Sequence, residues 1–259
     1  MKLLKNTNCK KKIAAFAVAL VAAIFAVTAG AVHGESIYAF SQNKTARKLP
    51  IYSVDREDKK IAISFDCAWG NEHTETLLNV MDEYNVKCTF FCVSFWAEKY
   101  PDDLKEITSR GHEVGTHSKT HPKMSKLNEN EITEELEYSC GAINDIIGTK
   151  PVLFRPPFGD YDDLLIETAQ KLGLYTIQWD VDSLDWKDLS ANDIAKRVIT
   201  KTKSGSIILC HNNGKHTAES LPLIFSTLKA RGYEFVKISD LIYKDNYSID
   251  INGRQIKTA

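Results

Sequence analysis

His117 and His121 stand four residues apart in the stretch Thr116-His117-Ser118-Lys119-Thr120-His121, directly after a short apolar run. Two imidazoles at that spacing converge on one divalent cation if the backbone makes a single turn between them, giving the ion two neutral nitrogen ligands. Two surface histidines in a loop have the same spacing. The pair therefore acquires meaning only if the rest of the chain adds a third ligand, a base and an acid.

The elements that must position such groups are legible in the hydrophobic pattern. Apolar runs at residues 61–65, 88–93, 112–115, 152–154, 174–179, 206–209 and 234–237 read as strands. Amphipathic stretches at 75–84, 101–110, 131–147, 162–172, 191–203 and 217–231 read as helices between them. Strands apolar on both faces alternating with helices predict an α/β fold with a parallel sheet, best counted as a distorted β/α barrel of about seven strands, with an open doubly wound sheet as the alternative. In a β/α barrel the reactive groups lie just after the C-terminal ends of the strands. Asp66 follows the first strand, His117 and His121 the third, Arg155 the fourth, Asp180, Asp182 and Asp185 the fifth, and His211 the sixth. Taken singly, these residues read equally well as a helix cap, a surface cation, a turn or a satisfied histidine; their shared placement on one rim is what singles them out.

The flanks differ from this body. Lys2, Lys5, Lys10, Lys11 and Lys12 precede an uncharged run at 13–32, so residues 1–34 read as a basic head with a signal-anchor helix, or as a signal peptide, and the remainder of the chain is expected outside the cytoplasm. Residues 35–58 read as a tether and 245–259 as a polar C-terminal tail around a barrel at 59–244. A net charge of -1 and the absence of a basic tract give no reason to expect nucleic acid. Five of the six cysteines lie beyond the apolar run, an odd number that excludes a full disulfide framework in a monomer, the state expected here.

Phe65-Asp66, His117 to His121, Arg155-Pro156-Pro157-Phe158, Asp182-Ser183-Leu184-Asp185-Trp186 and Leu209-Cys210-His211 resemble, in order, the five motifs of polysaccharide deacetylases with the NodB homology domain. The residues from Leu49 to Gly70 are most similar to the membrane-anchored, sporulation-type branch. The resemblance implies a metal-dependent hydrolase that removes N-acetyl groups from an N-acetylhexosamine polymer, with peptidoglycan or a related cell-wall glycan as substrate. It implies a divalent metal, zinc or another such as cobalt, on His117 and His121, and Asp66 as general base paired with Arg155. It implies His211 as general acid held by Asp185, the backbone N–H of Phe158 at the oxyanion, and Trp186 and Leu209 lining the pocket, with Asp182 beside the substrate.

One position departs from the pattern. Family members carry a second aspartate where this chain has Cys67. Cys67 is expected to ligate as a thiolate, with Asn71 or Glu72 as substitutes, or the metal is held weakly. Cys67, Cys92 and Cys210 each fall near a strand end and could approach one another beneath the rim, or could be small core residues. Loss of the aspartate also leaves open a glycan-binding wall protein on the same barrel, weak or inactive as a catalyst.

Overall fold

The structure, a computed structural model, describes residues 47–258; the basic head and apolar run of the sequence lie outside them. Among the described residues no helix is long and apolar enough to cross a membrane.

In chain order the elements are β1 (Ser53–Val54), β2 (Lys60–Cys67), α1 (Thr74–Glu83), β3 (Thr89–Cys92), α2 (Ser94–Lys99), α3 (Pro101–Ser109), β4 (Glu113–Thr116), α4 (Glu129–Ile147), β5 (Leu153–Phe154), α5 (Asp163–Lys171), β6 (Tyr175–Thr176), β7 (Val181–Asp182), α6 (Ala191–Lys201), β8 (Ile207–His211), α7 (Thr217–Ala230), β9 (Glu234–Phe235), α8 (Ile238–Leu241), β10 (Tyr247–Ile249) and β11 (Arg254–Lys257). Seven strands pair in the order β6-β5-β4-β3-β2-β8-β7, with β9 added on β2, and every pair is parallel. This is the distorted β/α barrel, left open between β6 and β7.

Local sequence sets the helix limits. Asn128 and Glu131 form a reciprocal capping box at the start of α4, and Gly148 at φ 71° ends it in the left-handed region that a side chain would resist. Asp162 and Ser190 cap α5 and α6 through their side-chain oxygens.

Strand alternation divides the core. On β2 the odd residues Ile61, Ile63, Phe65 and Cys67 join Leu77, Leu78, Met81, Cys92 and Trp96 in the layer between sheet and helices. The even residue Ala62 packs inside the barrel with Ile51, Phe91, Leu153, Ile177 and Ile207. Each fully buried side chain of this size contributes roughly 1.5–3 kcal/mol through its removal from water. Gly115 on β4 faces the Phe91 ring so closely that a Cβ there would lie 2.7 Å from it, which lets β3 and β4 enclose a narrow interior.

Three expectations need correction. The predicted strand at 174–179 is divided: Tyr175–Thr176 ends one edge of the sheet, and the chain then crosses to Val181–Asp182 at the other. The crossing is filled by residues expected to be tether. Ile51 bridges Ile177, the Gln178 N–H donates to the Ile51 carbonyl at 2.7 Å, and Val54 N–H donates to the Gly205 carbonyl at 2.9 Å. Gly205 permits this, since a Cβ there would overlap the Val54 carbonyl oxygen. Ile51 and Val54 are apolar and fully enclosed, which a tether would not be. Residues 245–259, read as a polar tail, contain the β10–β11 hairpin, and β11 pairs with β1. Gln255 anchors it from a buried position, accepting from Tyr243 N–H and donating to the Tyr243 carbonyl. Its polar composition concealed a strand stabilised by pairing rather than by an apolar face.

Candidate active site

Asp66 lies one residue before the end of β2, on the face that looks into the barrel. From β5 the chain delivers Arg155, whose guanidinium is fully buried and donates from Nη1 to Asp66 Oδ1 at 2.7 Å. Its Nη2 donates to Ser64 Oγ at 2.9 Å and to the Gln178 carbonyl at 3.2 Å. The Phe91 ring lies beneath, with its centroid 4.1 Å from the guanidinium carbon. Burial, the largest single influence, works to raise the Asp66 carboxyl, but Arg155, His117 and His211 together outweigh it and hold the group below the usual carboxylate value. Asp66 is therefore ionised and fixed in direction.

His117 and His121 follow β4 in a loop clamped by Glu135 on α4. The Glu135 carboxylate accepts from the backbone N–H of Lys119 and of Thr120, both at 2.8 Å, and from the Thr120 hydroxyl at 2.6 Å. Ser118 at φ 75° and His121 at φ 60° occupy the left-handed region, at a cost of roughly 1–3 kcal/mol each. The turn they make brings the two imidazole centroids to 4.9 Å. His117 Nδ1 lies 2.7 Å from the Arg155 carbonyl oxygen and donates to it, which leaves Nε2 with its lone pair. Burial lowers the pKa of both rings, that of His121 to about 4, so both are neutral as metal ligands must be.

Across the rim, His211 ends β8. Its Nδ1 is 2.7 Å from Asp185 Oδ1, and its backbone N–H donates to Asp185 Oδ2 at 2.8 Å. The Thr217 hydroxyl donates to the same Oδ2 at 2.7 Å. Burial would lower the His211 pKa; the hydrogen bond and charge of fully buried Asp185 reverse this and raise it. An imidazole whose protonated form is favoured by its carboxylate partner is thus held opposite Asp66, the arrangement of an acid and a base on two sides of one cleft.

The donors fit two legs of a cation site. His117 Nε2 faces Asp66 Oδ2 at 3.6 Å, lone pair toward lone pair, a contact that a cation would relieve. The third leg expected from Cys67 is absent. β2 runs on through residue 67, so alternation turns that side chain away from Asp66 and into the layer between sheet and helices, beside Cys92. Burial there pushes the thiol pKa up, the opposite of what a thiolate ligand needs. Cys92 and Cys210 share that layer, so none of the three reaches the rim, and all five described cysteines are buried and free. Asn71 is engaged by Asp103 at 2.7 Å. Among the described residues no set of three His, Cys, Asp or Glu side chains is arranged to hold a metal ion.

The remaining expected residues surround the cleft. Phe158, at φ 61° and mostly exposed, sets its ring 4.5 Å from that of His121. Trp186 is exposed next to Asp185, and Leu209 is buried on β8 two residues before His211. Asp182 spends one carboxylate oxygen on the Leu184 N–H at 2.8 Å, which holds the turn into Asp185. Sequence reading missed Ser64, Glu135, Thr217 and Trp69, whose ring lies 5.0 Å from His121. Each acts through a partner at least 15 residues away, which no local pattern reveals.

Comparison with known proteins agrees with this geometry. The family model described as polysaccharide deacetylase matches residues 53–177. A Bacillus subtilis protein, YlxY, is 35% identical over 193 residues, 74% of this chain and 60% of its own length, so this chain spans less than two thirds of that relative. A peptidoglycan-N-acetylglucosamine deacetylase of Bacillus cereus is 33% identical over 205 residues, covering 74% of this chain and 92% of that protein. Among solved structures, a CE4 family pseudoenzyme from Bacillus anthracis aligns at a TM-score of 0.72 with 33% identity, over 74% of this chain and 68% of that one. A mutant of it described as having restored enzymatic activity aligns equally well, at 0.72. Similarity that spans nearly the whole of a relative, together with a family model whose match includes Asp66, His117, His121 and Arg155, means that this chain belongs to the polysaccharide deacetylase family.

Proposed function

We propose that this protein is an N-deacetylase of cell-wall glycan, hydrolysing the acetamide of an N-acetylhexosamine polymer to acetate and a free amine. The observation that carries the reading is the pair of clamped groups: Asp66 fixed by Arg155 and His211 fixed by Asp185, facing one cleft. A groove that only binds has no use for a clamped carboxylate opposite a clamped imidazole. Asp66 takes a proton from the attacking water as its oxygen adds to the acetamide carbon. His211 gives a proton to the nitrogen as the C–N bond breaks, and Asp185 stabilises the imidazolium until then. His117 and His121 would hold a divalent cation, zinc or cobalt, whose chemistry is to polarise the acetamide carbonyl and acidify water. Phe158 and Trp186 border the sugar, and Leu209 offers the acetyl methyl an apolar wall.

The basic head and apolar run at 1–34 support export and attachment to the cell membrane, with the barrel on the outer side. The similarity of residues 49–70 to the sporulation-type branch supports a role in spore formation. A second reading, a glycan-binding protein with little or no turnover, is favoured by one observation: the turn of Cys67 away from the rim, into the layer beneath the helices, leaves the cation two protein ligands.

Acetate release decides between the two. The purified chain should release acetate from N-acetylglucosamine oligomers or peptidoglycan with added zinc or cobalt, and lose it with chelator, and Asp66→Asn and His211→Ala should each abolish it without unfolding. Saturable glycan binding with no acetate at any metal concentration would establish the second reading.

A further inference from the structure

The exposed apolar side chains near the cleft are all aromatic. Trp69 is 57% exposed, Phe95 37%, Phe158 63% and Trp186 58%; exposed aliphatics fall elsewhere, at Val152 before β5, at Leu223 in α7 and at Ile251 in the hairpin turn. Three of these aromatic rings form a row through one histidine. The Phe95 centroid is 6.4 Å from Trp69, Trp69 is 5.0 Å from His121, and His121 is 4.5 Å from Phe158.

The row is held in place rather than folded away. The Gly70 carbonyl, next to Trp69, accepts from Trp96 Nε1 at 2.6 Å and from Asn212 Nδ2 at 2.8 Å. Asn71 donates to Asp103, and Thr74 N–H returns to the Asn71 carbonyl at 3.0 Å. Ser94, next to Phe95, donates its N–H to the Ser118 carbonyl at 3.1 Å, which ties α2 to the histidine loop. A tryptophan fixed at its backbone and exposed at its ring loses little freedom when a flat ligand covers it. The C–H faces of a pyranose suit such a ring while its hydroxyls stay in water, and the row runs directly to His121, where the deacetylase reading places the glycan.

On the deacetylase reading, we propose that Trp69 and Phe95 form a stacking platform for a second sugar of the glycan, adjoining the N-acetylhexosamine at His117 and His121. The platform selects oligomers over single sugars, and it is independent of whether the cation site turns over.

The test is calorimetric titration of the full chain with N-acetylglucosamine oligomers of one to six units, alongside acetate release from each. Trp69→Ala should weaken binding of the tetramer by about tenfold, equivalent to about 1.4 kcal/mol, and remove most of the preference for oligomers over the single sugar. Phe95→Ala should act the same way more weakly, and Trp69→Phe should retain most of the affinity. Equal binding of the tetramer by wild type and Trp69→Ala, or an equal loss for short and long oligomers, would overturn the platform; the latter would mean that Trp69 serves only to support His121. Absence of any glycan binding would overturn it too. Length-dependent binding that Trp69→Ala weakens, without acetate release, would sustain the platform and refute the deacetylase reading alone.

Discussion

Replacing Arg155 with Met tests the pair on which the base depends. The guanidinium is fully buried and 2.7 Å from Asp66, a Coulomb attraction of about 6 kcal/mol at an effective dielectric constant of about 20. Arg155→Met keeps most of the stem's apolar contacts and leaves the Asp66 carboxylate buried without its partner, so the folded state should lose about 3–5 kcal/mol at pH 7. Ser64 keeps the Ile208 carbonyl as an acceptor, so most of the loss belongs to the stranded charge. The pH dependence carries the sign. In the wild type the Asp66 pKa is lowered by folding, so its contribution is present above about pH 4, the unfolded value, and is lost as pH falls through the folded value. In Arg155→Met the folded pKa rises above the unfolded one, and protonation relieves the penalty as pH falls. Urea unfolding of wild type, Arg155→Met, Asp66→Asn and the double variant at pH 7 and pH 4 measures both effects. The gap between wild type and Arg155→Met should narrow at pH 4, and the double variant should cost less than the sum of the single ones by at least about 2 kcal/mol. A loss below about 1 kcal/mol, or a gap that does not change with pH, would refute the buried-pair account.

Asp185→Asn should lower the His211 pKa, since the carboxylate is what lifts it, and the alkaline limb of any acetate-release profile should move to lower pH. In the wild type, His211 contributes stability that is complete below about pH 6.5 and is lost as pH rises through its folded pKa; this slope should flatten in the variant, with NMR titration of the imidazole as the direct check. An unshifted imidazole titration would mean that Asp185 only positions the ring. Zinc affinity measured by competition with a chromophoric chelator should be unchanged in Cys67→Ser and lost in His117→Ala. A drop in Cys67→Ser would show that the thiol turns to the rim after all.

Much of this molecule was open to reading from the chain. The strand and helix pattern led to the barrel, and the residues just beyond the strand ends led to Asp66, His117, His121, Arg155, Asp185 and His211, because a parallel β/α unit delivers its strand ends to one rim whatever the details of packing. Apolar periodicity failed for the segment carrying Ile51 and Val54 and for the hairpin carrying Gln255, since both are held by distant pairing partners rather than by a face of their own.

Cys67 marks the boundary between the two kinds of knowledge. Its identity, and the absence of a second aspartate, are facts of sequence. Its direction depends on where β2 ends. A strand stopping at Phe65 leaves the direction of residue 67 open, whereas one running through residue 67, paired to Cys92, turns it away from Asp66 into the layer beneath the helices. That length is set by hydrogen bonds to β3 and β8, partners more than 20 residues away, and so only the tertiary structure decides it.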